Sequence, residues 1–193
     1  FENHGMLNLN DRPQWQVIKG GSKQYIVKLI ESFKNNIRIN SPVDKIIRKN
    51  EGVEVVFNKQ QKKVYDRVII ATHSDQALKM IENPSYSEIE ILSAIPYQTN
   101  VAYLHWDCSV LPKQRNAWAS WNYFKPKEIR DETTVTYYMN MLQNLDMPKN
   151  ICVSLNMEGH INPKKIFKKI IYQHPVFTSE AILAQKRHKE IDG

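Results

Sequence analysis

The chain has 193 residues, 41% hydrophobic and 24% charged, the balance of a folded globular protein with a substantial core. No run approaches the roughly 20 apolar residues of a membrane span, and the opening FENHGMLNLNDRPQW has neither the basic nor the apolar region of a secretory leader. The formal net charge of +7 would suit nucleic acid, but the lysines are dispersed. Their densest groups, KQQKK (Lys59 to Lys63) and PKKIFKK (Pro163 to Lys169), read as a hairpin turn and the wet face of a helix with Ile166 and Ile170 on its dry side, so no nucleic-acid partner is expected.

In chain order, Trp15 to Ile18 reads as a short strand. Gly20-Gly21 then makes a turn, and Ser22 caps a helix with Ile26, Leu29, Ile30 and Phe33 on one stripe. Ile37 to Ile39 is a short strand. Val43 to Lys49 and Val53 to Asn58 alternate and meet through NEG, a hairpin signal. Val64 to Ala71 is apolar enough to be a central strand. Ser74 to Ile81 reads as a helix, stopped by Asn83-Pro84. Ser85 with Glu88 three residues on forms a capping-box pattern opening a helix to Ile95.

From Pro96 the style changes. YQTNVAYLHWD, NAWASWNYF, TTVTYYMNMLQ and NICVSLNM read as strands crowded with Tyr, Trp and Met. A helix over Ser179 to Ile191 ends the chain. The expected fold class is α+β, a mixed and mainly antiparallel sheet flanked by helices. The expected division is residues 1–77 and 78–193.

Cys108 and Cys152 lie far apart with no CxxC, so no metal site is expected and two small core residues in a reducing cytoplasm are. His105, His160 and His174 are scattered, with no nucleophile at a catalytic spacing, and no catalytic residue is assigned. Gly20 and Gly21 place flexible backbone before a helix N-terminus, where a ligand can approach. Ser41-Pro42 precedes Val43, whose strand could lay its backbone against a planar ring. Ala71 and Thr72 end a hydrophobic strand in small residues, the place where open α/β sheets take ligands. Among the aromatics, Trp118 and Ser120 fall on one strand face, Trp121 and Tyr123 on the other, and Tyr137 shares a face with Met139. Each position also suits a plain turn, strand or core residue.

The order of these pieces is more specific than any one of them. GGSKQYIVKL, then INSPVDKIIR, a hairpin and YDRVIIATHSDQALKMI resemble the FAD-dependent amine oxidase-like superfamily, which includes monoamine oxidases, protoporphyrinogen oxidase and phytoene desaturases. With IPYQTNVAYLHWD, AWASWNY, VTYYMNMLQ and YQHPVF, nearly the whole chain is similar to a bacterial subgroup of predicted NAD/FAD-binding oxidoreductases. ATHSDQAL and AWASWNY are the most specific phrases.

The resemblance implies FAD as cofactor, with Gly20, Gly21, Val43, Ala71 and Thr72 on its binding side. Trp118, Trp121, Tyr123 and Tyr137 would then bind substrate. It implies hydride transfer from a C–H bond of an apolar, lipid-like or amine substrate to flavin. The family's N-terminal GxGxxG and C-terminal flavin motif are absent, so the chain is expected to be an internal piece, inactive and weak in FAD binding by itself. The alternative is a non-catalytic module binding a lipid or a partner through its aromatic sheet. The sequence leaves substrate, electron acceptor and oligomeric state open.

Overall fold

The computed structural model describes residues 10, 14, 16–125 and 133–192. Two compact units divide the chain. One takes residues up to Asn36 with Val101–Ile171, and the other takes Ile37–Asn100 with the residues from Tyr172 on. The fold is α+β with mainly antiparallel sheets, as the sequence predicts.

The second unit is built on a meander of β1 (Val43–Arg48), β2 (Val53–Phe57) and β3 (Gln61–Tyr65). The register runs from Val43 opposite Phe57 to Arg48 opposite Val53, with an irregularity between Val43 and Lys45. The hairpin turn needs a glycine. Gly52 has φ +91°, and a Cβ there would lie 2.5 Å from the Tyr65 carbonyl oxygen. Ile46, Val55, Val56 and Phe57 are buried. Helix α2 (Ser74–Met80) buries Ala77, and Glu82 N–H closes onto the Ile46 carbonyl at 2.9 Å. Helix α3 (Tyr86–Ser93) starts as its sequence dictates. Ser85 Oγ accepts from Glu88 N–H, and the Glu88 carboxylate accepts from Ser85 N–H at 2.7 Å and pairs with Arg48. Helix α5 (Ser179–Lys186), capped by Thr178, buries Ala181 and Ala184.

The first unit contains helix α1 (Lys23–Leu29) and most of a five-stranded sheet. Its strands are β4 (Tyr97–His105), β5 (Trp121–Tyr123), β6 (Val135–Tyr138), β7 (Cys152–Leu155) and β8 (Ile166–Pro175), in the order β5-β6-β7-β4-β8. The chain of β4 and β8 runs on into the other unit. Pairing among β4, β5, β6 and β7 is antiparallel. One-turn helix α4 (Met139–Leu142) ends β6.

Four local expectations are corrected. Val64 to Ala71 is not one strand: β3 stops at Tyr65, and Arg67 to Ala71 is not in a β-ladder. A strand exists only where its N–H and C=O groups find a neighbouring strand, and Ile69 is 93% exposed. Ile37 to Ile39 is likewise unpaired after a 3-10 turn at Lys34–Asn36. The lysine-rich stretch from Pro163 is a 3-10 turn leading into β8, not a helix. Of the expected strand at Trp15 to Ile18, Trp15 lies outside the described residues and the rest is not in a strand.

Candidate functional site

Strand alternation gives the five-stranded sheet two unlike faces. On one face, Asn122 stands opposite Thr136, Thr136 opposite Ser154 and Ser154 opposite Tyr103. In the next row, Tyr138 stands opposite Cys152 and Cys152 opposite His105. All seven are buried. This inner face is therefore partly polar, and its His105, Ser154 and Thr136 side chains bond to one another. Asp107 N–H donates to His105 Nδ1 at 3.1 Å, so Nε2 carries the ring proton and donates to Ser154 Oγ at 2.8 Å. Ser154 Oγ then lies 2.7 Å from Thr136 Oγ1.

Asp107 closes the end of this face. Its carboxylate accepts from Asn162 N–H at 2.9 Å, Ser109 N–H at 3.1 Å and Lys165 Nζ at 3.0 Å. Burial opposes its charge, but these donors outweigh that and hold the carboxyl far below the ordinary carboxylate range. Burial, with the neighbouring Cys108 and Asp107, pushes the Cys152 thiol up to about 12, so it is no nucleophile at neutral pH.

Burial also lowers the His105 pKa, against the pull of the Asp107 charge. The sign follows. Neutral His105 fits the fold and charged His105 does not, so the unfolded chain binds the extra proton first. Stability is full above the unfolded value of 6.5 and falls as pH drops below it toward the lower folded value. His105→Gln should flatten the dependence of the urea midpoint on pH between 6.5 and about 5. An unchanged slope in that variant would show that another group controls it.

The opposite face is apolar. One row carries Tyr123, Val135, Leu155 and Ala102, and the next Trp121, Tyr137, Val153 and Leu104. Trp121 is 45% exposed and Tyr123 69% exposed, while Val135, Tyr137, Val153, Leu155 and Leu104 are half-buried. Three of the four aromatics expected to meet substrate, Trp121, Tyr123 and Tyr137, thus share one surface, with Trp121 directly opposite Tyr137. Trp118 does not join them. A 3-10 turn at Arg115–Ala117 interrupts the expected strand, and Trp118 packs edge-on against inward-facing Tyr138 at 5.1 Å.

In the second unit, Val43 opens β1 with its side chain exposed, and Ala71 and Thr72 are exposed just before α2. The tip of that segment is braced by a residue the sequence did not point to. Tyr97 Oη accepts from Ser74 N–H at 2.8 Å, and its ring stacks on His73 at 4.6 Å. Gly20 and Gly21 belong to the first unit. Both have positive φ, +81° and +82°, and nothing lies within 4 Å of where a Cβ on Gly21 would stand. The helix behind them begins without a side-chain cap from Ser22. Among the described residues, no group of three His, Cys, Asp or Glu is placed to hold a metal ion, and no helix is long and apolar enough to cross a membrane.

Residues 2–150 match the family model for flavin containing amine oxidoreductase, and the chain belongs to that family. Its fold is similar to that of a protoporphyrinogen oxidase-like protein from Exiguobacterium sp. 255-15, with TM-score 0.56 and 13% identity over 93% of this chain and 45% of the other. It is also similar to a CLA-producing fatty acid isomerase from P. acnes, with TM-score 0.55 and 12% identity over 90% and 44%. Putrescine oxidase in complex with putrescine gives TM-score 0.50 and 13% identity over 70% and 29%. The chain therefore spans less than half the length of each of these structures. No curated protein matches it.

Proposed function

We propose that this chain supplies the substrate-facing sheet and part of the cofactor side of an FAD-dependent oxidoreductase acting on a small apolar, lipid-like or amine substrate. The observation that carries the reading is the two-faced sheet: a member of a flavin family turns a partly polar, buried face inward and presents Trp121, Tyr123 and Tyr137 on the other. Such a wall orients a hydrocarbon chain and excludes water, which is the protein's share of flavin chemistry.

The cofactor side is drawn from within residues 1–77 and the substrate side from within 78–193. The residues present suit a dinucleotide. Gly20 and Gly21 leave backbone open to close approach, and Val43, Ala71 and Thr72 are small or exposed. Bound flavin would accept a hydride equivalent from the substrate C–H bond. Two free thiols, one of them buried, accord with a cytoplasmic location.

The test is made on the full-length protein. It should purify yellow, with flavin absorbance, and be bleached anaerobically by an unsaturated fatty acid or by a polyamine. Trp121→Ala and Tyr137→Ala should slow bleaching about tenfold or more while flavin content stays constant, the equivalent of at least ~1.4 kcal/mol in the barrier. Colourless protein that binds lipid tightly would replace this reading with a non-catalytic lipid-binding module.

A further inference from the structure

A shallow depression, widely open to solvent, lies where β6 ends. It has a volume of about 340 Å³ and is lined by Arg115, Trp118, Tyr138, Asn140 and Met141. That volume is at the lower end of small-molecule sites. Its Trp118, Tyr138 and Asn140 side chains are bonded to residues outside the lining. Trp118 Nε1 donates to the Pro112 carbonyl at 2.8 Å, and Tyr138 Oη donates to Asn150 Oδ1 at 2.8 Å. The Asn140 amide is committed at both ends, donating to the Lys149 carbonyl at 3.0 Å and accepting from Ile151 N–H at 2.7 Å. Arg115 is different. Its guanidinium sits 5.3 Å from the centroid of the Trp118 ring, and it has no carboxylate partner among the described residues. This cation–π contact holds the guanidinium near the ring without using its N–H donors.

The chemistry of that lining selects a ligand. A planar fork with paired donors matches a carboxylate or a phosphate. A phosphate dianion calls for more than one positive group, and Arg115 is the one cation in this lining. Trp118, Tyr138 and Met141 favour an apolar body on the acid, and the Met141 thioether adapts to its shape. Tyr138 and Tyr137 are adjacent in β6 and point to opposite faces, so this pocket is separate from the Trp121–Tyr123–Tyr137 surface. We propose that the Arg115–Trp118–Tyr138 pocket binds the carboxylate of a small aliphatic or aromatic acid, as a site additional to the proposed substrate wall.

Calorimetric titration of the full-length protein tests this with octanoate, phenylacetate, octanol, octylamine and inorganic phosphate. At least one acid should bind about tenfold or more tightly than octanol, octylamine or phosphate. Arg115→Met should abolish that preference and Arg115→Lys should keep part of it. Trp118→Leu should weaken the same acid, while Tyr137→Ala on the other face should not. Thermal midpoints identify any variant that fails to fold; Arg115 is exposed and ends no buried pair, so Arg115→Met should melt as wild type does. Equal affinity for octanoate, phenylacetate and octanol overturns the proposal. So does acid binding that survives Arg115→Met or disappears in Tyr137→Ala. Phosphate binding as tightly as the acids would show a bare anion site and overturn it too. None of these readouts requires flavin, so they stand or fall apart from the redox reading.

Discussion

Asp107→Ala should lower the stability of the full-length protein by about 3 kcal/mol, read as the urea unfolding midpoint at neutral pH. The carboxylate is 2% exposed and is the acceptor for Asn162 N–H, Ser109 N–H and Lys165 Nζ. Removing it leaves two partly buried N–H groups without their acceptor. Lys165 is 40% exposed and can turn to water, so its share of the loss is small. Asp107→Asn keeps the shape and should fall between the two. The pH dependence has a definite sign. A depressed carboxyl pKa contributes stability that is complete above the unfolded value of about 3.9 and is lost as pH falls through the folded value. The Asp107→Ala penalty should therefore be constant from pH 5 to 8 apart from the His105 effect, and should shrink only in strong acid. A penalty under about 1 kcal/mol at neutral pH would mean that the two loops hold without it.

Ala71→Leu should strip flavin from the full-length protein while leaving its apoprotein as stable as wild type. The proposed role is steric: a dinucleotide over the end of this segment leaves no room for a branched side chain. In this chain Ala71 is exposed, so a leucine there overpacks no core of its own. Flavin retained after gel filtration should drop about tenfold, the equivalent of ~1.4 kcal/mol in binding. Full flavin occupancy with a melting point lowered by several degrees would instead mark Ala71 as a packing residue in the full-length protein. Val68 is half-buried, and Val68→Ala should lower the midpoint with flavin retained.

What could be read from the sequence was whatever is settled by nearest neighbours. The NEG turn specifies its hairpin because Gly52 must take positive φ. Ser85 and Glu88 specify the start of α3 because both partners of the capping box lie within one turn. Trp121 and Tyr123 share one face because strands alternate every second residue. Trp118 went astray for a local reason, the 3-10 turn at Arg115–Ala117, which breaks that count.

The lysine-rich segment failed more instructively. Ile166 and Ile170 are four apart, and four residues return to the same face of a helix and of a strand alike. Pairing in the sheet, which no local pattern reports, decided for the strand. Pairing also decided against a strand at Val68 to Ala71. The inner polar rows stayed hidden because Thr136 and Ser154 look like surface residues until the His105 ring is brought onto them from another strand.

Those rows carry a consequence for folding fidelity. An apolar face alone tolerates a slip, since one valine replaces another at little cost. A slip of one residue in β7 would send Ser154 outward, strand His105 Nε2 without an acceptor, and turn Val153 and Leu155 inward. The hydroxyl row thus acts as a proofreading key for strand alignment, penalising each wrong alignment by a buried group left unpaired. Replacing Thr136 and Ser154 with valine and alanine, and His105 with an apolar residue so that no buried donor is left without its acceptor, would remove the key. The sheet would keep its hydrophobic driving force and lose its insistence on a single alignment, and with it the fixed aromatic geometry on the other side.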